Sequence, residues 1–436
     1  MSDLRDRTVA IDKARVWHPY TEMSRYRSEV DPLVVVRAKG SRLFDADGRR
    51  FLDGNASWWT STLGHNHPRL VAALSNQANK LCHTALAGIA HPYASNLAEK
   101  ICEVAPPGLE HVFFSDNGST SVEVAMKLAL QYWAQNGQPE RISFVALEEA
   151  FHGETIGVTA LGGVDVFRQP FEKVLLDCKR IPSPAAESGT AVALERLRSI
   201  FEEDAQMIAG LVVEPLVQGA AGMRIYTPDF LREARRLCDE FDVFMICDEV
   251  FTGYGRTGRM WASEHAAISP DILCTAKGFS GGMLPMAATL TTDRIFQGFL
   301  GEPQRAFYYG HTFCGNPLGS AVALEVLRIF EEEQILLAAE KKAKRIEQAF
   351  SSMESWPGVS LTRSLGMVGA CDLGGGSGYL ADAGWRVFEK AMARGAYLRP
   401  LGNVVYVTPS LNISDADLDE LLEILKDCVS EVVRDL

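Results

Sequence analysis

The sequence lacks paired cysteines, long apolar runs and an excess of positive charge. Its 9 cysteines stand singly, without a Cys-x-x-Cys motif, which is typical of reduced thiols in the cytoplasm rather than of disulfides or a zinc site. No run approaches the ~18 apolar residues of a membrane span, and residues 1–15 lack the apolar stretch of a signal peptide. The formal net charge of -13 opposes nucleic-acid binding. We therefore expect a cytoplasmic protein with no metal and with no nucleic-acid or membrane partner.

The 436 residues have an ordinary globular balance, with 47% hydrophobic and 23% charged residues. Short apolar runs alternate with amphipathic segments through the middle of the chain, which favours an α/β fold with a largely parallel sheet. The predicted strands are residues 111–114, 142–145, 208–213, 243–247 and 272–274, and the predicted helices are residues 121–135 and 230–240. Ligands of such sheets bind beyond the carboxyl ends of the strands.

The two ends of the chain have a different pattern. Residues 33–50 alternate like a hairpin turned at Asp47 and Gly48, a helical pattern runs over residues 318–353, and residues 416–433 predict a final amphipathic helix. We predict a small α+β domain built from both ends, residues 1–62 and 331–436, beside a large domain of residues 63–330. The glycine-rich residues 374–378 predict a loose surface turn rather than a phosphate site.

Polar residues that follow predicted strands are the candidates for chemistry. Asp248 and Glu249 follow residues 243–247, and a carboxylate buried there needs a cationic partner, because an unpaired buried charge costs several kcal/mol. The alternative is that these acids cap a turn. Lys277 lies between an apolar run and Gly278, where burial would lower the pKa of its amine and make it a nucleophile. An aspartate for the ring nitrogen and a lysine for the aldehyde are the groups that pyridoxal phosphate requires.

An anion site is predicted at the start of the helix that follows residue 117. Asn117, Gly118, Ser119 and Thr120 directly precede the helical pattern, so free backbone N–H groups and the helix dipole would favour a phosphate there. Thr120 also matches a capping box with the glutamate three residues on. The two interpretations are compatible.

Residues 253–258 (GYGRTG) fit the Gly-x-Gly-x-x-Gly pattern of dinucleotide sites. That pattern needs its glycines at a strand-to-helix turn and an acid about twenty residues further on. Here five residues separate the glycines from the predicted strand, and a glycine occupies the position of the acid. The segment therefore does not predict a nicotinamide-dependent dehydrogenase.

Four motifs give the chain a specific resemblance to a known family. FHGET (residues 151–155), DEVFTGYGRTG (248–258), TAKGFSGG (275–282) and GHTFCGNPLG (310–319) stand in the expected order and spacing. Together they resemble the class III aminotransferases, from about residue 17 to residue 409. The resemblance implies the type I pyridoxal-phosphate fold, aminotransferase activity on small molecules, and a homodimer whose active sites are shared between subunits.

The resemblance also implies roles for residues at the cofactor ring. Lys277 binds the cofactor as a Schiff base and moves the proton, Asp248 pairs with the pyridine nitrogen, and Phe151 stacks on the ring. Many relatives bond the ring hydroxyl with a glutamine where this chain has Phe251. That contact is therefore absent here or supplied by another residue.

At the other end of the cofactor, the resemblance implies that Gly118 and Ser119 hold the phosphate. Thr312 reaches the phosphate bound by the neighbouring subunit, and Gly310 beside it contacts the substrate. A complete site thus requires two copies of the chain.

The substrate-side residues resemble those family members that serve biotin biosynthesis, whose substrate is a long apolar chain with a terminal carboxylate. Tyr20, Trp58 and Trp59 would form the apolar wall, and Arg399 would bind the carboxylate as a two-pronged donor. The alternatives are a core aromatic cluster for Trp59 and a surface position for Arg399. The alternative function is an ω-amino-acid or diamine transaminase, because such an enzyme would share the motifs around Lys277.

The amino donor rests on two departures from the family pattern. Relatives that use S-adenosylmethionine usually have Tyr and Pro where this chain has Phe151 and His311. Residues 160–167 (ALGGVDVF) are closer to relatives that use lysine. We expect S-adenosylmethionine as the donor, with lysine or another amine as the alternative.

Lys277→Ala should abolish turnover, because no other side chain would then bind the cofactor aldehyde or move the proton. The visible absorption band of the lysine-bound cofactor should disappear, together with its fixation by borohydride. Spectra and activity assays of the two proteins measure both effects. Persistence of either in the variant would end the assignment.

Overall fold

The structure is a computed structural model that describes residues 2–374 and 380–436. The turn predicted at residues 374–378 lies outside the described residues except for Gly374. No helix in the described ranges is long and apolar enough to cross a membrane.

The strands are β1 (Val35–Lys39), β2 (Arg42–Asp45), β3 (Arg50–Asp53), β4 (Leu109–Ser115), β5 (Ser143–Leu147), β6 (Cys178–Ile181), β7 (Ile208–Val213), β8 (Val217–Gln218), β9 (Arg224–Ile225), β10 (Phe244–Asp248), β11 (Ile272–Thr275), β12 (Ala287–Thr292), β13 (Val359–Leu365), β14 (Val368–Leu373), β15 (Ala396–Tyr397) and β16 (Val404–Val407). The right-handed α-helices are Ser2–Arg15, Met23–Ser28, Pro68–Ala78, Pro92–Val104, Gly118–Gln135, Ile156–Thr159, Asp165–Arg168, Gly189–Asp204, Pro228–Glu240, Asp293–Gln297, Pro317–Glu332, Ile335–Ser351, Ala383–Ala393 and Asp415–Val433. Short 3-10 helices are Gln169–Val174, Ala205–Met207, Ala262–Ala266, Lys277–Ser280 and Pro303–Arg305.

A seven-stranded sheet forms the centre of the fold, in the order β4-β12-β11-β10-β7-β5-β6. β12 is antiparallel to both of its neighbours, and the other pairs in this sheet are parallel. The predicted α/β class with a mostly parallel sheet is therefore confirmed. Each strand and helix predicted in this region is present, with ends within three residues of the predicted ones.

Helices cover both faces of the large sheet, so neighbouring residues of a central strand are buried in opposite directions. In β5, Phe144 packs in a cluster with Trp133 of the helix Gly118–Gln135. Val145, the next residue, packs with Leu197 and Phe230 of two helices on the other face. Burial on both faces explains why these strands form continuous apolar runs in the sequence.

The two ends of the chain meet in a second, four-stranded sheet with the order β1-β2-β3-β15. β15 pairs in parallel with β3, placing Ala396 opposite Leu52. The contact is close, because a Cβ added to Gly54 would lie 2.5 Å from the Leu398 side chain. β13, β14 and β16 form a further sheet beside the helices near the carboxyl terminus. The domain boundaries predicted after residues 62 and 330 stay a prediction.

Two predictions for the ends were wrong in detail. The helical pattern over residues 318–353 forms two helices, Pro317–Glu332 and Ile335–Ser351, because Gln334 between them has a φ of 48°. A left-handed residue cannot continue a right-handed helix. The single hairpin predicted over residues 33–50 is a meander of β1, β2 and β3. Besides the predicted turn with Gly48, it turns at Gly40, and both glycines have positive φ.

Candidate active site

Loops at one edge of the large sheet surround a cavity of about 520 Å³. The parallel strands β4, β5, β7, β10 and β11 all end at this edge, and the residues at or after their carboxyl ends line the cavity. Those lining residues include Asp116, Gly118, Ser119, Phe151, Glu214, Asp248 and Lys277. The topology thus brings most of the predicted cofactor residues together, as expected for parallel sheets.

Lys277 begins the short helix that follows β11, and its side chain is surrounded by protein apart from the surface that lines the cavity. Burial lowers the pKa of its amine, and the nearby negative charges of Asp248 and Glu214 partly oppose this effect. Its Nζ lies 5.1 Å from the centre of a Trp59 ring. The residue has a φ of 43°, a strained conformation that is common at functional sites. A buried amine of this kind can act as a nucleophile.

Asp248 is the last residue of β10 and is buried beside a histidine that the sequence analysis did not single out. Its Oδ2 lies 2.8 Å from Nδ1 of His152, and its Oδ1 accepts the backbone N–H of Val250 at 3.0 Å. Nε2 of His152 is buried without a partner among the described residues. His152 therefore orients the carboxylate. Its position in the FHGET motif was the available signal, but only Phe151 was considered there.

Glu249, the neighbour of Asp248, shows the alternative role. Its carboxylate accepts the hydroxyl of Thr252 at 2.6 Å and the backbone N–H groups of Ala262 and Ser263 at 3.0 and 2.8 Å. It is fully buried and does not line the cavity. The turn-capping interpretation is thus right for Glu249, whereas Asp248 both caps the turn through Val250 and faces the cavity.

Glu214 is a second buried carboxylate in the cavity that the sequence analysis missed. Its two oxygens accept the backbone N–H groups of Phe151 and Gly219, each at 3.0 Å. Burial raises the pKa of Glu214 to about 7, with the charge of His152 opposing the shift and that of Asp248 adding to it. Glu214 directly follows β7, just as Asp248 ends β10. An acid at the end of an apolar strand was therefore the sequence signal for both residues.

The anion site at the start of the helix Gly118–Gln135 has the predicted position but a different cap. Asn117 accepts the N–H of Thr120 through its side chain, and Thr120 accepts the N–H of Asn117, each at 3.0 Å. The predicted pairing of Thr120 with Glu123 was therefore wrong. The N–H groups of Gly118 and Ser119 donate to no atom in the described part of the chain, and both residues line the cavity.

The hydroxyl of Ser119 is already used within the protein. Its Oγ accepts the N–H groups of Glu154 and Thr155 at 3.0 Å and lies 3.0 Å from Oγ1 of Thr155. Thr155 in turn donates its proton to Glu123 at 2.6 Å. The Ser119 proton therefore points to Thr155, and the group that Ser119 offers to an anion is its backbone N–H.

The aromatic wall comes from a left-handed turn. Ala56, Ser57, Trp58 and Trp59 have φ values of 45°, 46°, 65° and 72°, a conformation that costs roughly 1–2 kcal/mol per residue. The turn directs Trp59 into the cavity, where its Nε1 donates to the hydroxyl of Tyr406 at 3.1 Å. Trp58 is 43% exposed and is not part of the cavity lining. The buried aromatic in the wall is thus Trp59.

The other predicted residues lie at the rim or beyond it. Tyr20 lines the cavity, and its hydroxyl donates to Glu154 at 2.7 Å. Arg399 is half-buried outside the cavity lining, with its guanidinium 5.8 Å from the Trp58 ring centre. Gly310 and Thr312 are exposed and belong to no part of this lining.

Comparison with known proteins assigns the chain to a family. The model of the class-III aminotransferase family matches residues 24–429, nearly the whole chain and all four motifs. The chain therefore belongs to the class III aminotransferases.

Individual relatives are similar over their full length. A protein from Geobacter sulfurreducens named adenosylmethionine-8-amino-7-oxononanoate aminotransferase is 39% identical, over 97% of each chain. The solved structure of the protein of that name from Methanocaldococcus jannaschii has a TM-score of 0.93 and 34% identity, over 98% of this chain and 99% of the other. An amine transaminase from an uncultivated Pseudomonas species, solved in a pyridoxal-phosphate-bound form, has a TM-score of 0.91 and 32% identity, over 96% and 99%.

The cavity residues fit pyridoxal phosphate, the cofactor of this family. The ring nitrogen requires an acid, the aldehyde an amine and the phosphate a set of N–H donors. Asp248, Lys277 and the N–H groups of Gly118 and Ser119 supply these from separate walls of one cavity. A Cβ at residue 118 would lie 2.6 Å from the Val250 side chain, so the close approach of these two residues favours glycine. The protein is thus a pyridoxal-phosphate-dependent aminotransferase.

Glu214→Gln tests the buried carboxylate through the pH dependence of stability. Between pH 4.5 and about 7 the unfolded chain has an ionised Glu214, while the folded protein keeps it protonated. The folded state then binds more protons, so the free energy of unfolding decreases as the pH rises. The variant lacks this contribution. As the pH rises through this interval, the free energy of unfolding of the wild type should therefore decrease relative to that of the variant. Urea denaturation at several pH values measures the difference; a constant difference would contradict the raised pKa.

Proposed function

We propose that this aminotransferase converts 8-amino-7-oxononanoate to 7,8-diaminononanoate in biotin biosynthesis. The names of the full-length relatives support this substrate. The observation in the structure that carries it is Arg399, an arginine beside the aromatic wall that forms no ion pair with a carboxylate in the described part of the chain.

Arg399 is positioned through its backbone and its ring neighbours. Its N–H donates to Oδ1 of Asn55 at 2.7 Å, and its guanidinium donates to the carbonyl oxygen of Tyr20 at 3.3 Å. The guanidinium carbon lies 5.8 and 5.2 Å from the ring centres of Trp58 and Trp385. These contacts and a side-chain hydrogen bond with Tyr397 position the planar group, whose two-pronged set of N–H donors suits a carboxylate.

The aromatic side chains in and beside the cavity suit a hydrocarbon chain. Trp59 packs against Phe251 with ring centres 4.8 Å apart, and Tyr20 packs edge-on against Trp58 at 5.3 Å. Phe251 cannot replace the glutamine contact of other family members to the ring hydroxyl, because its side chain has no polar atom. We propose that this position serves the apolar wall instead.

The chain's own residues have defined tasks in the reaction. Bound pyridoxal phosphate supplies a ring that takes up the electron pair released at the substrate carbon. Asp248, oriented by His152, holds a proton on the ring nitrogen, and Phe151 stacks on the ring. The amine of Lys277 would take the proton from the substrate carbon and deliver it to the carbon that was the aldehyde of the cofactor, because burial favours its neutral, basic form.

We further propose a cytoplasmic homodimer. Gly310 and Thr312 are exposed here together with Phe313 and Tyr308, which are 57% and 80% exposed. An exposed apolar patch beside residues that the family uses in the neighbouring site is typical of a subunit interface. Thr312 would then complete the phosphate site of the partner, with Gly310 beside its substrate.

Arg399→Ala should raise the KM for 8-amino-7-oxononanoate by about tenfold to a hundredfold, because a charged hydrogen bond contributes about 1.5–3 kcal/mol. The KM of Arg399→Lys should lie between those of the wild type and Arg399→Ala, since lysine keeps the positive charge but lacks the planar, two-pronged set of donors. The matched control is Arg386→Ala, which removes a surface ion pair with Asp435. Unchanged turnover in Arg399→Ala would favour the rival, an ω-amino-acid or diamine:2-oxoacid transaminase. This alternative function is retained because an amine transaminase is 32% identical to the chain.

The amino donor is proposed to be S-adenosylmethionine, with lysine as the alternative. With 8-amino-7-oxononanoate fixed, a panel of S-adenosylmethionine, lysine and simple amines should give the highest kcat/KM for S-adenosylmethionine. Phe151→Tyr introduces the phenol that relatives using S-adenosylmethionine usually have at this position. It should increase the preference for S-adenosylmethionine, because the hydroxyl adds a hydrogen-bond donor at the cavity wall. A higher kcat/KM for lysine in the wild type would overturn the proposed donor.

A further inference from the structure

We propose that His311 is the counter-ion of Asp116, and that this pair makes the start of the helix Gly118–Gln135 a site for a doubly charged phosphate. The proposal rests on the proposed function, since the anion is the phosphate of the cofactor. It assigns a positioning role to a histidine that stands where the family's users of S-adenosylmethionine have proline.

Asp116 places a carboxylate next to an anion site. It lines the cavity immediately before Asn117 and the N–H groups of Gly118 and Ser119. A bare carboxylate there would repel the phosphate across a partly buried cavity, where charges are screened less than at the surface. Binding of a dianion therefore requires this charge to be compensated.

His311 is the basic side chain in contact with that carboxylate. Its Nδ1 lies 2.6 Å from Oδ2 of Asp116, a distance typical of a charge-assisted hydrogen bond. Its Nε2 lies 2.9 Å from the hydroxyl of Tyr309, so both ring nitrogens have partners. The side chains of His311 and Asp116 are 25% and 34% exposed, which leaves the pair beside the cavity rather than in free solvent.

The neighbouring charged groups do not replace His311. The Nζ of Lys127 lies 4.9 Å from the centre of the Tyr309 ring and forms no ion pair with Asp116 in the described part of the chain. Glu123 adds a further negative charge near Tyr309. The sulfur of Cys314 accepts the backbone N–H of His311 at 3.1 Å and carries no positive charge. Without His311, the groups around Asp116 would be predominantly negative or neutral.

The pair also holds the chain next to Thr312. His311 is tied to the start of the phosphate-binding helix through Asp116 and to Tyr309 within its own segment. The exposed Thr312 follows it directly. The same imidazole thus compensates charge in its own subunit and positions the residue proposed to reach the partner's phosphate.

The test compares two ligands that differ in the phosphate alone and form no bond to Lys277. The apoprotein is titrated with pyridoxamine 5'-phosphate and with pyridoxamine, following tryptophan fluorescence, since Trp59 lines the cavity. His311→Gln should raise the Kd of pyridoxamine 5'-phosphate about tenfold, as expected for loss of one charge-assisted contact. The Kd of pyridoxamine should stay the same.

Two further variants separate charge from structure. His311→Lys keeps a positive charge and should retain most of the affinity for the phosphate. In His311→Gln/Asp116→Asn the repelling charge is removed as well, so the Kd should return to that of Asp116→Asn. The control His111→Gln breaks a comparable pair, Nε2 to Asp293 at 3.0 Å, on the surface of β4; it should change neither Kd.

Thermal denaturation establishes that each variant is folded. Equal weakening of both ligands by His311→Gln, or failure of the double variant to recover, would overturn the proposal and leave His311 a structural residue. If the His311→Gln protein does not fold, the comparison of His311→Lys with the double variant decides by the same criterion. Absence of pyridoxamine 5'-phosphate binding in the wild type would instead overturn the proposed function.

Discussion

The active site depends on removing one amine and two carboxylates from water within a single cavity. Burial lowers the pKa of Lys277 and raises that of Glu214. The carboxylate charges partly oppose the shift of Lys277, whereas the charge of Asp248 adds to the shift of Glu214. None of them could be buried alone without a cost of several kcal/mol. The loops after the parallel strands make the burial possible, because backbone N–H groups and His152 satisfy the carboxylate oxygens. The chemistry of the site is thus a consequence of how the sheet edge distributes hydrogen-bond donors.

The site also contains backbone strain that the rest of the fold offsets. Lys277 and the turn from Ala56 to Trp59 are left-handed, and non-glycine residues adopt that conformation only where their surroundings impose it. In the turn, the result is that two adjacent tryptophans point in different directions. Trp59 reaches the cavity and Trp58 supports Arg399 from outside. The extensively buried large sheet provides the stability against which such local strain is tolerated.

Most of the fold and the cofactor residues could be predicted from the sequence because their signals are local. Asp248, Lys277 and Gly118 each follow an apolar strand in a pattern that a short window contains. The pairing of His152 with Asp248, and the fact that Trp59 but not Trp58 lines the cavity, depend on neighbours that lie far away along the chain. Glu123 shows the same limit: a local pattern assigned it to Thr120, whereas it accepts the hydroxyl of Thr155 from another loop. Packing decides whether a side chain bonds a neighbour in sequence or a residue from a distant segment. A short stretch of sequence contains no information about that packing.

The bond between Asn55 and Arg399 joins residues 344 positions apart, beside the pairing of β3 with β15. A ribosome releases the amino-terminal partner early and the carboxyl-terminal one near the end of synthesis. A growing chain that has emerged as far as β12 already contains Lys277, Asp248 and the helix Gly118–Gln135, yet it lacks Arg399, the residue proposed to bind the substrate carboxylate. With the proposed role of Arg399, substrate selection is assembled last, and a truncated product would lack it while it kept the residues proposed to bind the cofactor.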